Sequence, residues 1–279
     1  FHSTSEKTFL GTTIPAGTGG TQSIDIALDT LFQHPNLGPF ISRQMIQRLV
    51  TSNPSPAYVG RVATAFETGR YTLPDGTAIG DGRRGNMQTL VAAILMDAEA
   101  RSDQMLAFDT FGKIREPAIR FAQWARAFDA SAVTPQDSFD PYDPTTRADL
   151  GQSPYESPSV FNFYRPGYVA PGSLTGAAGM TVPELQITNS ATVVGYANFM
   201  AHFAFAEALK GNDQHKSSFI PNYTEERALA DDPVALVDHL DLLLASGQLT
   251  DATKNNIVQT VQAIPLTNEN IFNYDGPLT

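Results

Sequence analysis

The chain has no cysteine. Disulfides, thiolate metal sites, iron–sulfur clusters and cysteine nucleophiles are therefore excluded. The compartment stays open, because many exported bacterial proteins also lack cysteine. Basic residues are scarce: 18 Lys and Arg stand against 29 Asp and Glu, for a net charge of −11. No dense Lys/Arg cluster offers the basic face that nucleic-acid binding needs, and an anionic membrane surface is disfavoured for the same reason. No apolar run reaches the roughly 18 residues of a membrane-crossing helix. Standard catalytic signatures are missing too. There is no His-Glu-x-x-His, no His-x-His pair and no Gly-x-Ser-x-Gly elbow, so the sequence carries neither a preformed zinc motif nor a serine nucleophile turn.

Apolar residues are plentiful, at 42% of 279 residues, enough for the core of one large domain or two small ones. Their spacing is helical. Ile24, Ala27, Leu28, Leu31 and Phe32 share a face in Gln22–Gln33, and Ile41, Met45 and Leu49 form a stripe between Pro39 and Val50, with Phe40 and Ile46 beside it. Ser55 is an N-cap with Pro56 at the first helical position, followed by Val59, Val62, Ala63 and Phe66. Asn86 to Ala100 predicts a helix with Leu90, Val91, Ile94 and Leu95 inward. Pro117 to Phe128 predicts another, with Phe121, Trp124 and Phe128 inward. Ser190 to Leu209 is apolar nearly all round and predicts a central buried helix. Asp232-Pro233 opens a helix that Gly247 closes, and Thr250 caps a last one with Ile257, Val258, Val261 and Ile264 inward. Residues 134–179, rich in Pro, Gly, Ser and Asp, read as a long irregular loop. The expectation is a mainly α fold, a multi-helix orthogonal or antiparallel bundle with long irregular loops. It has at most a small β-hairpin, near residues 7–14 or within the Gly-rich stretch 69–85. Residues 1–279 are taken as a single helical domain. The start at Phe1 and the end in IFNYDGPLT read as a fragment or processed product of a longer protein, with any targeting segment outside it.

Three blocks carry a resemblance: HPNLGPFISRQMIQRLVTSNPSPAYVGRVATAFE, GDGRRGNMQTLVAAILMDAEAR and FGKIREPAIRFAQWARAF. With the opening HSTSEKTFLG and the later SPSVFNFYRPGY, they resemble the bacterial family catalogued as domain of unknown function 1800. The resemblance covers most of residues 1–170 and, more loosely, the terminal helices. It implies an exported protein (periplasmic, cell-surface or extracellular) and a chain corresponding to the C-terminal part of the family's length. The family's N-terminal helical half and closing segment are then absent. The family's activity is not established, so the resemblance implies location and architecture without chemistry.

Candidate functional residues follow from side-chain type. Gly80-Asp81-Gly82-Arg83-Arg84-Gly85 satisfies G-x-G-x-x-G before a helix, but no strand precedes it and no Rossmann pattern follows, so it reads as a loop entering the Asn86 helix. Asp75 and Asp81, with Asp140 and Asp143 in a second loop, are candidate calcium ligands, since calcium prefers several oxygens on irregular backbone. Calcium is the one cofactor the sequence leaves open. His34 precedes Pro35 at a helix end, placed to meet terminal carbonyls. His202 forms a narrow polar stripe with Asn198 and is the candidate catalytic histidine. Glu116, Arg120 and Trp124 lie at i, i+4 and i+8, where a Glu–Arg pair is favourable and Trp124 is placed to stack on the guanidinium. Arg48 is a candidate for the same network, which reads as fold-organising or as a ligand-binding face. Tyr155, Tyr164 and Tyr168 in the long loop are equipment for carbohydrate stacking or anchors for the loop.

Two functional readings follow. In the first, the chain is an exported helical module without catalytic activity that binds, assembles or displays a surface component, its partner being another exported protein or a surface polysaccharide. In the second, it is an extracytoplasmic hydrolase whose site is completed by the absent N-terminal half.

Overall fold

A computed structural model describes residues 2–108, 110–132, 149–153, 155–205 and 219–264. In chain order the helices are α1 (Gly20–Gln33), α2 (Leu37–Leu49), α3 (Pro56–Thr68), α4 (Met87–Met96), α5 (Ala98–Arg101), α6 (Pro117–Ala127), α7 (Leu174–Ala177), α8 (Ser190–Ala204), α9 (Thr224–Ala228), α10 (Pro233–Leu240) and α11 (Asp251–Gln262). The strands form short antiparallel pairs: β1 (Lys7–Phe9) with β2 (Thr12–Ile14), β3 (Tyr71–Thr72) with β4 (Ala78–Ile79), and β5 (Ser131–Ala132) with β6 (Phe219–Ile220). The fold is mainly α, as the periodicity predicts, and hairpins occupy both segments where the sequence allowed one. The chain gathers into two compact units, Phe1–Ile114 with Pro166–Pro183, and Arg115–Arg165 with Glu184–Thr279. None of the described helices is long and apolar enough to cross a membrane.

Unit 1 is built on α2, α3 and α4. Ser55 Oγ accepts the Tyr58 N–H at 3.1 Å, so α3 starts where its sequence cap lies. Its core joins Ile46, Tyr58, Val62, Phe66, Leu90 and Ile94. The helix α2 is rotated from the expected stripe. Gly38, Ser42 and Ile46 are buried, whereas Leu49 stays 46% exposed. At Gly38 the helix comes close to α3: a Cβ there would stand 2.3 Å from Glu67 Oε1. A second difference concerns α1, which turns Ile24 (60% exposed) and Leu28 (59%) outward. Its polar edge is the tethered one, with Thr30 Oγ1 donating to Thr12 Oγ1 at 3.2 Å.

The helix expected through Ala100 breaks at Asp97. That carboxylate accepts Arg61 Nε at 2.7 Å, Arg61 Nη2 at 2.8 Å and the Glu99 N–H at 2.9 Å. It therefore forks onto α3 while capping α5. Burial by itself would raise the Asp97 carboxyl, but the hydrogen bonds from Arg61 and Glu99 outweigh it and hold the group below its ordinary value of 3.8. One turn earlier, Tyr58 Oη donates to Ile94 O at 2.6 Å. Leu95, expected inward, is 43% exposed.

Unit 2 packs α6 and α8 through rings. Phe121 lies 5.8 Å from Trp124, 5.2 Å from Phe199 and 4.8 Å from Phe203, centroid to centroid. The α8 helix is not buried all round: Val193 is 55% and Val194 60% exposed. Gly195 marks its inward side, where a Cβ would fall 2.7 Å from Asp149 Cα. A bulkier residue there would push the 149–153 segment away. Asp232 caps α10 through the N–H groups of Val234 and Ala235, and Thr250 Oγ1 caps α11 at 3.2 Å from Thr253 N. Of the residues expected inward in this last helix, Ile257 is exposed, as is Ile264, which lies past its end.

Replacing Asp97 with Asn should destabilise the protein by about 2 kcal/mol at pH 7, the scale of hydrogen bonds to a charged group. Because the folded value is depressed, the wild-type contribution is present above pH 3.8 and is lost as pH falls from there through that lower value. Urea unfolding at pH 7 and again near pH 2 should show the wild-type advantage shrinking in acid. An unchanged gap would contradict the assignment.

Candidate functional site

Unit 1 contains an open cleft of about 880 Å³. Its first wall is α2, where Asn36, Phe40 and Arg43 recur at i, i+4 and i+7 and so share a face. The second is a short 3-10 helix (Asp103–Ala107) with residues that follow it, together supplying Met105, Phe108 and Phe111. The floor comes from the α2–α3 connection Asn53-Pro54-Ser55-Pro56 and from Thr181. Phe40 is 45% and Phe108 56% exposed, so the rings face solvent across the opening.

Buried polar side chains hold these walls. Thr51 is fully buried, and its Oγ1 donates to Gly112 O at 3.0 Å while accepting the Gly112 N–H at 3.0 Å. One hydroxyl thereby satisfies both backbone groups of the residue following Phe111. Ser52 N also donates to Gly112 O at 2.9 Å. On the other side, the Gln47 amide donates to Ser52 O at 2.9 Å and to Pro166 O at 2.8 Å. Thr181 N reaches Asn53 Oδ1 at 3.3 Å. Two irregular segments are thus pinned to the end of α2.

The cleft's charges differ in availability. Glu99 is committed: its carboxylate accepts Ser55 N at 3.0 Å and Ser55 Oγ at 2.5 Å, with Arg61 Nη2 at 3.7 Å. Arg43 is not. Among the described residues its only hydrogen bond is from Nη2 to Thr181 Oγ1, long at 3.4 Å, and it has no carboxylate partner. The Asn53 oxygen is occupied, whereas its Nδ2 donates to nothing among the described residues. The site can therefore receive an anion beside aromatic and proline surfaces.

The residues singled out by sequence are placed as follows. Glu116 and Tyr164 come together in unit 2: the buried carboxylate accepts the Tyr164 hydroxyl and also Gln152 Nε2 at 2.5 Å. Arg120 lies over the Tyr196 ring, 4.1 Å from its centroid, while Trp124 is buried among Phe121, Phe128 and Phe203. Tyr155 is 93% exposed. Arg48 and Tyr168 belong to unit 1, where Arg48 O accepts Lys113 Nζ at 2.9 Å. Asp75 and Asp81 each close their own turn, on Thr77 N and Arg83 N. Asp140 and Asp143 lie outside the described residues. No cluster of three or more metal-ligating side chains occurs among the described residues. His34 Nδ1 accepts Asn36 N–H at 3.2 Å rather than meeting carbonyls, and His202 stands edge-on to Phe203. The Gly-rich loop is anchored by Arg84, which pairs with Glu67 and donates to Phe32 O and His34 O.

Sequence reasoning missed Arg43, Phe108 and Phe111. Arg43 had one usable signal, its position three residues after Phe40 on the side of α2 opposite the Ile41–Met45 stripe. The aromatic pair at 108 and 111 had none, because only folding brings it to α2.

Comparison with known proteins gives one match: the family model described as "Protein of unknown function (DUF1800)" covers residues 1–272. No curated protein and no solved structure matches the chain.

Thr51→Val keeps the shape of the side chain but leaves the Gly112 N–H and C=O without their partner hydroxyl, at a cost of about 2 kcal/mol. Urea unfolding should show this loss, and a neutral result would mean that Thr51 does not hold the Phe111 turn. In unit 2, Tyr164→Phe should cost a similar amount, about 2 kcal/mol, by removing a donor from a buried carboxylate. Full stability retained in Tyr164→Phe would place that carboxylate in contact with water instead.

Proposed function

The chain belongs to the DUF1800 family of proteins of unknown function, and on that premise we propose that it is an exported bacterial helical module that binds a partner instead of transforming a substrate. Export and a bacterial source rest on the resemblance of the three motif blocks. Binding rests on the cleft of unit 1, where Arg43 stands, among the described residues, without a carboxylate, beside exposed rings and prolines. A concave apolar surface with a few converging polar groups is the usual form of a ligand site. The other polar groups lining it are largely engaged in holding backbone. The partner is a component of the cell surface, and the module contributes to its assembly or display.

The test sets binding against hydrolysis. The protein is assayed against ester, glycoside and peptide substrate panels with and without divalent metal, in parallel with His202→Ala. The expected result is no turnover that His202→Ala removes, and cell fractionation that finds the protein outside the cytoplasmic membrane. Turnover abolished in a folded His202→Ala variant would replace this reading with the hydrolase. Recovery in the cytoplasm would remove the surface role.

A further inference from the structure

Resting on that binding reading, we infer that the cleft's ligand is an extended peptide segment of a partner protein, carrying a carboxylate next to aromatic or proline residues. The carboxylate seats on Arg43 and the Asn53 amide, and the apolar side chains lie between Phe40, Phe108 and Phe111.

Each part of this assignment has a physical basis. Arg43 is a planar cation with several donors, a geometry that matches a carboxylate. The chain carries a net charge of −11, yet the cleft's cation is not neutralised by it. Arg43 has no carboxylate partner among the described residues, while the cleft's own carboxylate, Glu99, is held by Ser55 and faces Arg61. Among the described residues, the cleft is consequently complementary to a negative group and has no competing internal one. Asn53 Nδ2, fixed in direction because its oxygen accepts from Thr181, supplies a neutral donor near that cation.

The rest of the ligand follows from the walls. Phe40, Phe108 and Phe111, with Pro39, Pro54 and Pro56, form apolar ridges along an open groove. Aromatic-lined open grooves suit extended, proline-containing peptides, which lose little conformational entropy on docking and keep their outer backbone hydrated. A fatty-acid chain in the same groove would leave one flank in water and forfeit much of its hydrophobic gain. A sugar chain needs a dense set of hydrogen-bonding groups, and much of the polar lining is already engaged internally, Ser55 with Glu99 and Thr181 with Asn53. A volume of about 880 Å³ lies toward the upper end of the range for small-ligand sites, roughly 300–1,000 Å³, so a few peptide residues fit.

The sole tryptophan, Trp124, is buried in unit 2, so the ligand must carry the reporter. A rhodamine-labelled Gly/Ser peptide with a central Pro-Phe-Pro-Asp block is titrated with the full chain and followed by fluorescence anisotropy. A second peptide has Asn in place of Asp. The expected result is saturable one-to-one binding, about tenfold tighter for the Asp peptide, the factor that a charge-assisted contact of about 1.4 kcal/mol supplies. Arg43→Ala should make the two peptides equal. Phe108→Ser should weaken both by a similar factor. Thermal unfolding checks that each variant is folded, and Phe40→Ser substitutes for Phe108→Ser if the latter is not. Equal affinity of the two peptides for the wild type, or no binding of either, overturns the inference. If oleate or polygalacturonate binds instead, in a manner sensitive to Arg43→Ala, the peptide assignment falls while the binding module stands. If neither peptide nor either alternative binds, and His202-dependent turnover is found, the binding reading falls with it.

Discussion

Irregular backbone packed against helices must have its N–H and C=O groups satisfied, and this requirement organises the molecule. Buried peptide groups without partners cost about as much as a lost hydrogen bond each. Here a small set of buried polar side chains meets the need: Thr51 on Gly112, Gln47 on Ser52 and Pro166, and Thr181 on Ser52. Asp97 serves the same end at a helix break, joining α3 to the start of α5. With these bonds made, segments without regular structure become fixed walls.

The same requirement explains why helix faces depart from simple hydrophobic periodicity. Gln47 is buried with its amide on loop carbonyls, and Gly38 is buried where Glu67 of α3 comes close. Leu49 is displaced toward solvent as a consequence. In α1 the edge carrying Ser23 and Thr30 is tethered, so Ile24 and Leu28 face outward. Apolar stripes drive helix formation, but polar tethers decide which edge turns inward.

The cleft is a by-product of this arrangement. Its walls come from α2, the α2–α3 connection and the residues Met105, Phe108 and Phe111, backed by bonds that lie beneath the surface. Most polar side chains around it are used up in those bonds. What remains without a close partner among the described residues, the Arg43 charge and the Asn53 amide nitrogen, is small in number and for that reason directional. Acids elsewhere follow the same economy: Asp75, Asp81 and Asp232 close turns or cap helices. Glu116 holds Tyr164 and Gln152.

Much of the fold was legible in the residues. Ser55-Pro56, Asn86, Asp232-Pro233 and Thr250 mark helix starts because capping is a local interaction between a side chain and N–H groups two or three residues away. The burial of Leu90, Ile94 and Trp124 followed from helical spacing, and the family from motif blocks. The cleft was not legible, because Arg43, Asn53, Phe108 and Thr181 are far apart in the chain and share no pattern. Nor was the inward side of α1, α2 or α8, since apolar spacing defines a stripe but does not say what covers it. Local chemistry in the sequence determined where helices begin and which stretches form them. Tertiary structure alone decided which faces are covered and which side chains line the cleft, because both depend on contacts between segments that are distant in the chain.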